Sequence, residues 1–363
     1  MDAGNIVYSY TPKTWNQDQF LDLGGFTVVF LNYNKGRFVE KSVQGALEQD
    51  FPFLEMYFMD DASTDGSGDI MEKLVRKYQG RHKVTVVRNK KNQHICGQWN
   101  IVSKLATGNW FGMFCADDFA KPDRVSNVAR IIDATPSLLG LCTGLEDRLP
   151  NGEIINNYRN SRVIYENRET DLADILNWRS PIIGASAFWN KRLFHGDFPK
   201  APLDDVFLRC LVYTEGLKTS NPTWGWFPNV VGLTYNKGGL TTEAEVDING
   251  LNYKKAYIAQ RGYVKKTACL MAETLNAVEK YLRSKGVTRC VAENLAAKRI
   301  DCQIVSDGNF SLAQFMVVSC STNLTIKTKC HLWYSLGLRM SRKILGENAT
   351  ASIACMFRKI IKK

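Results

Sequence analysis

The feature that most constrains this chain is an alternation along its first half. Four short apolar runs, GFTVVFL (25–31), LEMYFM (54–59), KVTVVR (83–88) and NWFGMFC (109–115), are each followed by a segment with apolar residues near helical spacing. Those segments cover 37–49, 68–78, 97–106 and a stretch opening at Pro122. Parallel strands need crossovers, and strands this apolar must be covered on both faces. The pattern predicts an α/β fold, a mostly parallel sheet with flanking helices. In open sheets of this kind ligands bind beyond the carboxyl ends of the strands. Here those ends read Asn32-Tyr33-Asn34-Lys35, Asp60-Asp61-Ala62-Ser63-Thr64-Asp65-Gly66 and Ala116-Asp117-Asp118, so polar and acidic residues gather where a site belongs.

A length of 363 residues suits one large domain and a smaller appendage, here divided as 1–248 and 249–363. The formal net charge of +11 is uneven. Residues 251–363 carry 20 Lys and Arg against 6 Asp and Glu, while the remainder carries 27 against 30. The basicity belongs to the C-terminal third and points to an anionic surface as its partner. Helices are expected there over 251–286, 289–304, 331–345 and 349–361, punctuated by Gly286, Gly308 and Gly346. The segments HLWYSLGLRMSRKIL and ACMFRKIIKK mix Trp333, Leu336, Phe357 and Ile360 with Arg339, Arg342, Lys343 and Lys359. Basic amphipathic helices with aromatic anchors suit an anionic membrane surface; a helical packing domain with a solvated basic face is the plainer alternative.

No apolar run reaches the roughly 20 residues needed to span a bilayer. The N-terminal residues lack a basic stretch followed by an apolar one, so a cytoplasmic protein is expected, peripheral on the inner face of the membrane. The ten cysteines form no CxxC pair, which favours buried free thiols over disulfides or zinc, and the sequons at Asn323 and Asn348 carry little weight in that setting. His94 and His195 are isolated and are not expected to be catalytic.

Asp117-Asp118 closes a buried-looking strand. Hard divalent cations take oxygen ligands and often use one or two carboxylates plus substrate phosphates; the same pair could instead stabilise the start of the helix after Pro122. Asp60-Asp61-Ala-Ser-Thr-Asp65-Gly66 is no P-loop, since the GK[ST] ending is absent. Its acids suit a base or ribose better than a phosphate, although a capped turn would use the same residues.

Taken together, FTVVFLNYNKGRFVEKSVQGALEQDFPFLEMYFMDDASTDGSGDIMEKL and NKKNQHICGQWNIVSKLATGNWFGMFCADDFAKPDRV resemble the inverting nucleotide-sugar transferases of glycosyltransferase family two. Four motifs occur in register, over about residues 24–240. The resemblance implies a GT-A fold and transfer of a sugar, with a UDP-sugar favoured, to a saccharide hydroxyl. It implies that Asn32, Tyr33, Asn34, Lys35, Asp61, Asn100 and Asp117 hold the donor, with Asp61 accepting from a uracil N–H. Asp118 would bind Mn²⁺ or Mg²⁺, which would neutralise the diphosphate leaving group.

Inversion also needs a base for the acceptor hydroxyl. By resemblance that base is Asp205 in Leu203-Asp204-Asp205-Val206; Asp204 stands where the family has Glu, Leu211 where Arg is common, and a helix N-cap is the competing explanation. Ser180–Ala187 resembles the small-residue loop near the acceptor. Tyr235–Thr241 resembles a segment that closes over the diphosphate, with Lys237 as its cation and Gly238-Gly239 as its hinge. A lipid-linked acceptor in bacterial O-antigen or capsule synthesis would suit the basic C-terminal third. The alternatives are a nucleotidyltransferase, whose Gly-rich phosphate loop is missing, and a non-catalytic scaffold or nucleic-acid binder. No base-reading module or interleaved aromatic platform supports a nucleic-acid partner.

Overall fold

The computed structural model describes residues 5–148, 153–155, 161–167, 172, 182–236, 261–284 and 289–306, with 315–316, 319, 329–340, 342–343 and 350 beyond them. The chain divides into two compact units, one of residues 1–200 and 204–237, the other of 201–203 and 238–363. The expected boundary at 248/249 lies outside the described residues.

The first unit is built on one sheet. Its centre is four parallel strands in the order β4 (Lys83–Arg88), β3 (Glu55–Asp60), β2 (Phe26–Asn32) and β5 (Trp110–Cys115). These are the four runs read from the sequence. The crossovers are α2 (Val39–Leu47), α3 (Ser67–Arg76) and α4 (His94–Leu105), after a short α1 (Gln17–Asp22) that precedes β2. Val28, Phe30, Met56, Phe58, Val84 and Val86 pack against Val39, Val43, Met71 and Val75 from the helices. Each such large apolar side chain contributes about 1.5–3 kcal/mol on burial. Helix α3 also follows its dipole, with Asp69 in the first turn and Lys73 and Arg76 in the last.

Register aligns the strand ends. Asn32 pairs with Asp60, Asp60 with Arg88 and Leu31 with Cys115, so all four parallel strands stop at one edge. Two features went unread in the sequence. Strand β1 (Asn5–Tyr10) adds an antiparallel edge against β4. Beyond β5, the helix read as opening at Pro122 is α5 (Arg124–Ala134), and the unread part is the short β6 (Phe119–Ala120) before it and β7 (Gly140–Arg148) after it, whose partner β8 is Ile154–Ile155. Strand β9 (Ile164–Glu166) pairs with a later strand, and β10 (Ala187–Asn190) inserts antiparallel between β5 and β7. Helix α6 (Asp204–Gly216) precedes β11 (Trp224–Asn236), which runs parallel to β7. The fold is therefore mixed but mostly parallel.

The second unit is helical. Helix α7 (Arg261–Ser284) and helix α8 (Arg289–Val305) occupy the regions read as helices, though residues 251–260 lie outside those described. Ala296, Ala297, Ile300, Ile304, Phe315 and Leu332 form its core. Charges inside the unit are matched: buried Asp301 accepts from Ser335 Oγ at 2.6 Å and lies 3.3 Å from His331 Nε2, and Glu279 meets Arg283 and Arg299. The expected helix over 349–361 falls outside the described residues apart from Thr350. Among the described residues, no helix is long and apolar enough to cross a membrane.

Candidate active site

The loops leaving the carboxyl edge are tied to one another. Asn32 is buried, and its amide nitrogen lies 2.8 Å from Asp60 Oδ1, 3.0 Å from Ser67 Oγ and 3.2 Å from Ser63 Oγ. Asn34 Oδ1 accepts from the Thr64 N–H at 2.8 Å, and Asp65 Oδ2 accepts from the Gly36 N–H at 2.8 Å. Asn34, Ala62 and His94 hold φ of 52°, 62° and 56°. A side chain in that region costs of order 1–2 kcal/mol. Strain thus collects in the loops after β2, β3 and β4, where the surrounding bonds hold it.

Asp61 is buried at the end of β3. Its Oδ1 accepts from Asn89 Nδ2 at 2.9 Å and from the Gln93 N–H at 2.8 Å. Tyr33 stands 46% exposed beside this loop pair. At the end of β5, ligand atoms of Cys115, Asp117 and Asp118 lie within 4.8 Å of one another. Lys35 Nζ sits 2.7 Å from Asp117 Oδ2, bridging the loops after β2 and β5. Asp118 is buried and Asp117 is half-buried. The carboxylates suit a hard cation. Burial, then the charges of Asp118 and Asp117, push the Cys115 thiol well above its ordinary value, and a neutral thiol is a poor ligand for such an ion.

The second half of the site reaches the same edge through β10. That strand runs antiparallel to β5, with Phe188 opposite Gly112, so the 3-10 turn Gly184–Ser186 before it lies at the carboxyl end of β5. Buried Arg124 fastens the turn: its guanidinium donates to Met113 O at 2.7 Å and Ala185 O at 2.8 Å, and lies 4.1 Å from the Phe114 ring centre. Gly184 lies close against Asp205: a Cβ there would stand 3.3 Å from Asp205 Oδ2, a tight contact.

Asp204 and Asp205 open α6. The Trp99 indole N–H donates to Asp204 Oδ2 at 2.8 Å, and the Val206 N–H donates to Asp205 Oδ1 at 2.8 Å. Burial and the neighbouring Asp204 charge push Asp205 up to about 7. Burial also raises Asp204, against the lowering effect of the Trp99 bond.

Other expected residues sit differently. The Asn100 amide is committed at both ends to the main chain of Phe198, at 2.7 Å and 3.1 Å, and Asn32 is committed to the loop after β3. The Asn100 amide so paired braces backbone, whereas Asn32 is engaged through its nitrogen alone and its buried Oδ1 has no hydrogen-bond partner among the described residues. Lys237, Gly238 and Gly239 lie outside the described residues, as do Ser180 and Pro181. The buried arginine of α6 is Arg209, paired with Glu166, while Leu211 is a core residue. Arg124, Trp99 and Cys115 were not singled out from the sequence. Cys115 could have been, since it stands two residues before Asp117; nothing local marks the other two.

Residues 27–194 match the model of Glycosyl transferase family 2. Sheet, crossovers and acidic edge together make a GT-A fold, and this chain carries a family 2 glycosyltransferase domain. The glucosyltransferase WfaP of Escherichia coli, which acts from UDP-Glc on alpha-D-GlcNAc-diphosphoundecaprenol, is 25% identical over 101 residues, 28% of this chain and 38% of that protein. The crystal structure of S. aureus TarS 1-349 with UDP-GlcNAc is 15% identical at a TM-score of 0.50, covering 88% of this chain and 92% of that one. The mannosyltransferase PcManGT of Pyrobaculum calidifontis, in complex with GDP-Man and Mn²⁺, is 16% identical at 0.50, covering 93% and 87%. The matched stretches make up 36% to 38% of the curated relatives matched first.

Proposed function

We propose that the chain transfers a sugar from a nucleotide-sugar donor, with a UDP-sugar favoured, to a hydroxyl of a saccharide acceptor, with inversion. The observation that carries this is the convergence at one sheet edge of Asp61, Asp117 and Asp118 with Asp205 across the Gly184–Ser186 turn. In this reading Asp61 accepts from the base and Tyr33 offers it a ring face, while Asn34 and Lys35 shape the pocket. Asp117, paired with Lys35, serves the ribose or donor sugar. Asp118 holds a divalent cation, Mn²⁺ or Mg²⁺, which when bound supplies charge to the departing diphosphate. Asn100 acts as a brace, Asn32 keeps its Oδ1 for the donor pocket, and Lys237 is the candidate cation for the same diphosphate.

Asp205 takes the proton of the acceptor hydroxyl as its oxygen bonds to the anomeric carbon. The bond from that carbon to the diphosphate breaks, and the nucleoside diphosphate leaves. A base near 7 is half ionised at neutral pH and still strong enough to accept a proton. The likeness to TarS and PcManGT, both holding nucleotide sugars, supports the donor class. A thermal-shift screen of UDP-, GDP-, dTDP- and CMP-sugars with and without Mn²⁺ tests it. A metal-dependent rise with one nucleotide class is expected; a folded sample that answers none of them overturns the reading.

The acceptor we propose is lipid-linked and belongs to bacterial surface polysaccharide synthesis, O-antigen or capsule, in line with the WfaP acceptor. The C-terminal region would then rest on the inner face of the membrane. Within the helical stretch 329–340, Cys330, Trp333, Gly337 and Met340 are exposed at spacings of three and four, opposite buried Leu332, Ser335 and Arg339. That stripe suits a membrane interface, and the surplus positive charge of the region suits anionic lipids rather than a second copy of itself. Flotation with vesicles containing anionic lipid is expected, weakened by Trp333→Ser; equal flotation with neutral vesicles would sink the electrostatic part.

A further inference from the structure

Two adjacent carboxylates in aromatic surroundings raise the question of which one carries the charge. Asp204 is 5% exposed, and the rings of Phe194, Phe198 and Phe207 form a contiguous series beside Trp99. In such a place two charges side by side are costly, so the pair shares its protons unequally. What breaks the tie comes from outside α6. Trp99, on α4, is 1% exposed and wedged between Phe111 and Phe194, so its indole cannot swing away. Its N–H reaches Asp204 and not Asp205. An indole N–H only donates, so it favours a carboxylate acceptor over a protonated one.

We propose that Trp99 is a positioning residue of the transfer reaction, holding Asp204 as the ionised member of the pair so that Asp205 becomes the member that gains and loses a proton. The inference rests on the proposed function for its catalytic meaning, though not for its physical content. Two thiols feel the pair. Cys115 at the end of β5 feels Asp204, and Cys142 on β7 feels Asp205; burial holds both above their ordinary value, Cys142 at about 12. Arg209, one turn along α6, is engaged with Glu166. None of these competes for the choice that the indole makes.

The test is the pH profile of transfer in Trp99→Phe, which keeps an aromatic ring and removes the donor. Without the N–H, Asp204 accepts the shared proton more readily and Asp205 ionises at lower pH. The acidic limb of kcat/KM should move down by about one pH unit. The plateau of kcat should fall, because Asp205 becomes a weaker base, while the KM for donor stays the same. Asp204→Asn should move the limb in the same direction, and adding Trp99→Phe to it should move it no further. A fall in kcat with the limb unmoved would assign Trp99 to packing alone and overturn the proposal.

A second readout does not need turnover. The carboxyl ¹³C signals of the pair, assigned with Asp204→Asn and Asp205→Asn, report each titration directly. In wild type the Asp205 signal should titrate near neutrality and the Asp204 signal well below it; the reverse order overturns the inference even if Trp99→Phe does not fold. Absence of any sugar transfer by the wild type would remove the proposed function and leave the carboxyl titrations standing as the test of the pair.

Discussion

The two acidic clusters of the site are built by opposite means. On the side proposed to hold the donor, three carboxylates meet polar partners: Asp61 has Asn89 and Gln93, Asp65 has Gly36 and Ser67, and Asp117 has Lys35. On the acceptor side, Asp204 and Asp205 have one indole and main-chain N–H groups, in a setting of aromatic rings. Matched partners keep a carboxylate charged and still; burial with few partners makes it willing to take a proton. In the proposed function the contrast separates binding from chemistry. A group that must hold a cation or a ribose gains from staying ionised, whereas a group that must accept a proton gains from reluctance to be charged.

The largest effect that would sharpen this contrast is expected from Asp205→Asn. It removes the base and leaves the donor loops untouched, so kcat should fall by about 10²–10⁴. The donor-induced rise in melting temperature should remain. Retention of wild-type turnover would break the comparison at its acceptor half.

Asp118→Asn is expected to do the reverse. The thermal shift produced by Mn²⁺ with the nucleotide sugar should disappear, while the melting temperature of the ligand-free protein changes little. An unchanged metal-dependent shift would move the ion to other residues. The smallest of the three effects is expected from Lys35→Met. A half-exposed ion pair is worth little by itself, about 1 kcal/mol at most, so the donor KM should rise by roughly tenfold or less with kcat nearly constant. A loss of kcat comparable to that of Asp205→Asn would show that the two clusters are not separable.

Much of this molecule can be read along the chain. The four parallel strands, their crossovers and the acidic strand ends follow from short-range patterning: apolar runs must be covered, and each strand end is marked by the residues that follow it. Asp61, Asp117 and Asp118 were visible for that reason. Strand β1 and the antiparallel β10 were not, because a largely exposed edge strand without clear alternation, NIVYSY, and a four-residue strand, AFWN, carry too little local signal.

Tertiary structure alone decided what each polar side chain meets. Asn32, Asn34 and Asn100 look equivalent in sequence, yet the Asn32 nitrogen meets Asp60, Ser63 and Ser67 while Asn100 is spent on Phe198. The same holds within the acidic pair at 204–205. Composition places two carboxylates side by side, but the bond from Trp99, 105 residues earlier, distinguishes them. The physical reason is range. Hydrophobic periodicity is a property of neighbours along the chain, whereas hydrogen-bond partners and desolvation are set by whatever the fold brings within about 3 Å.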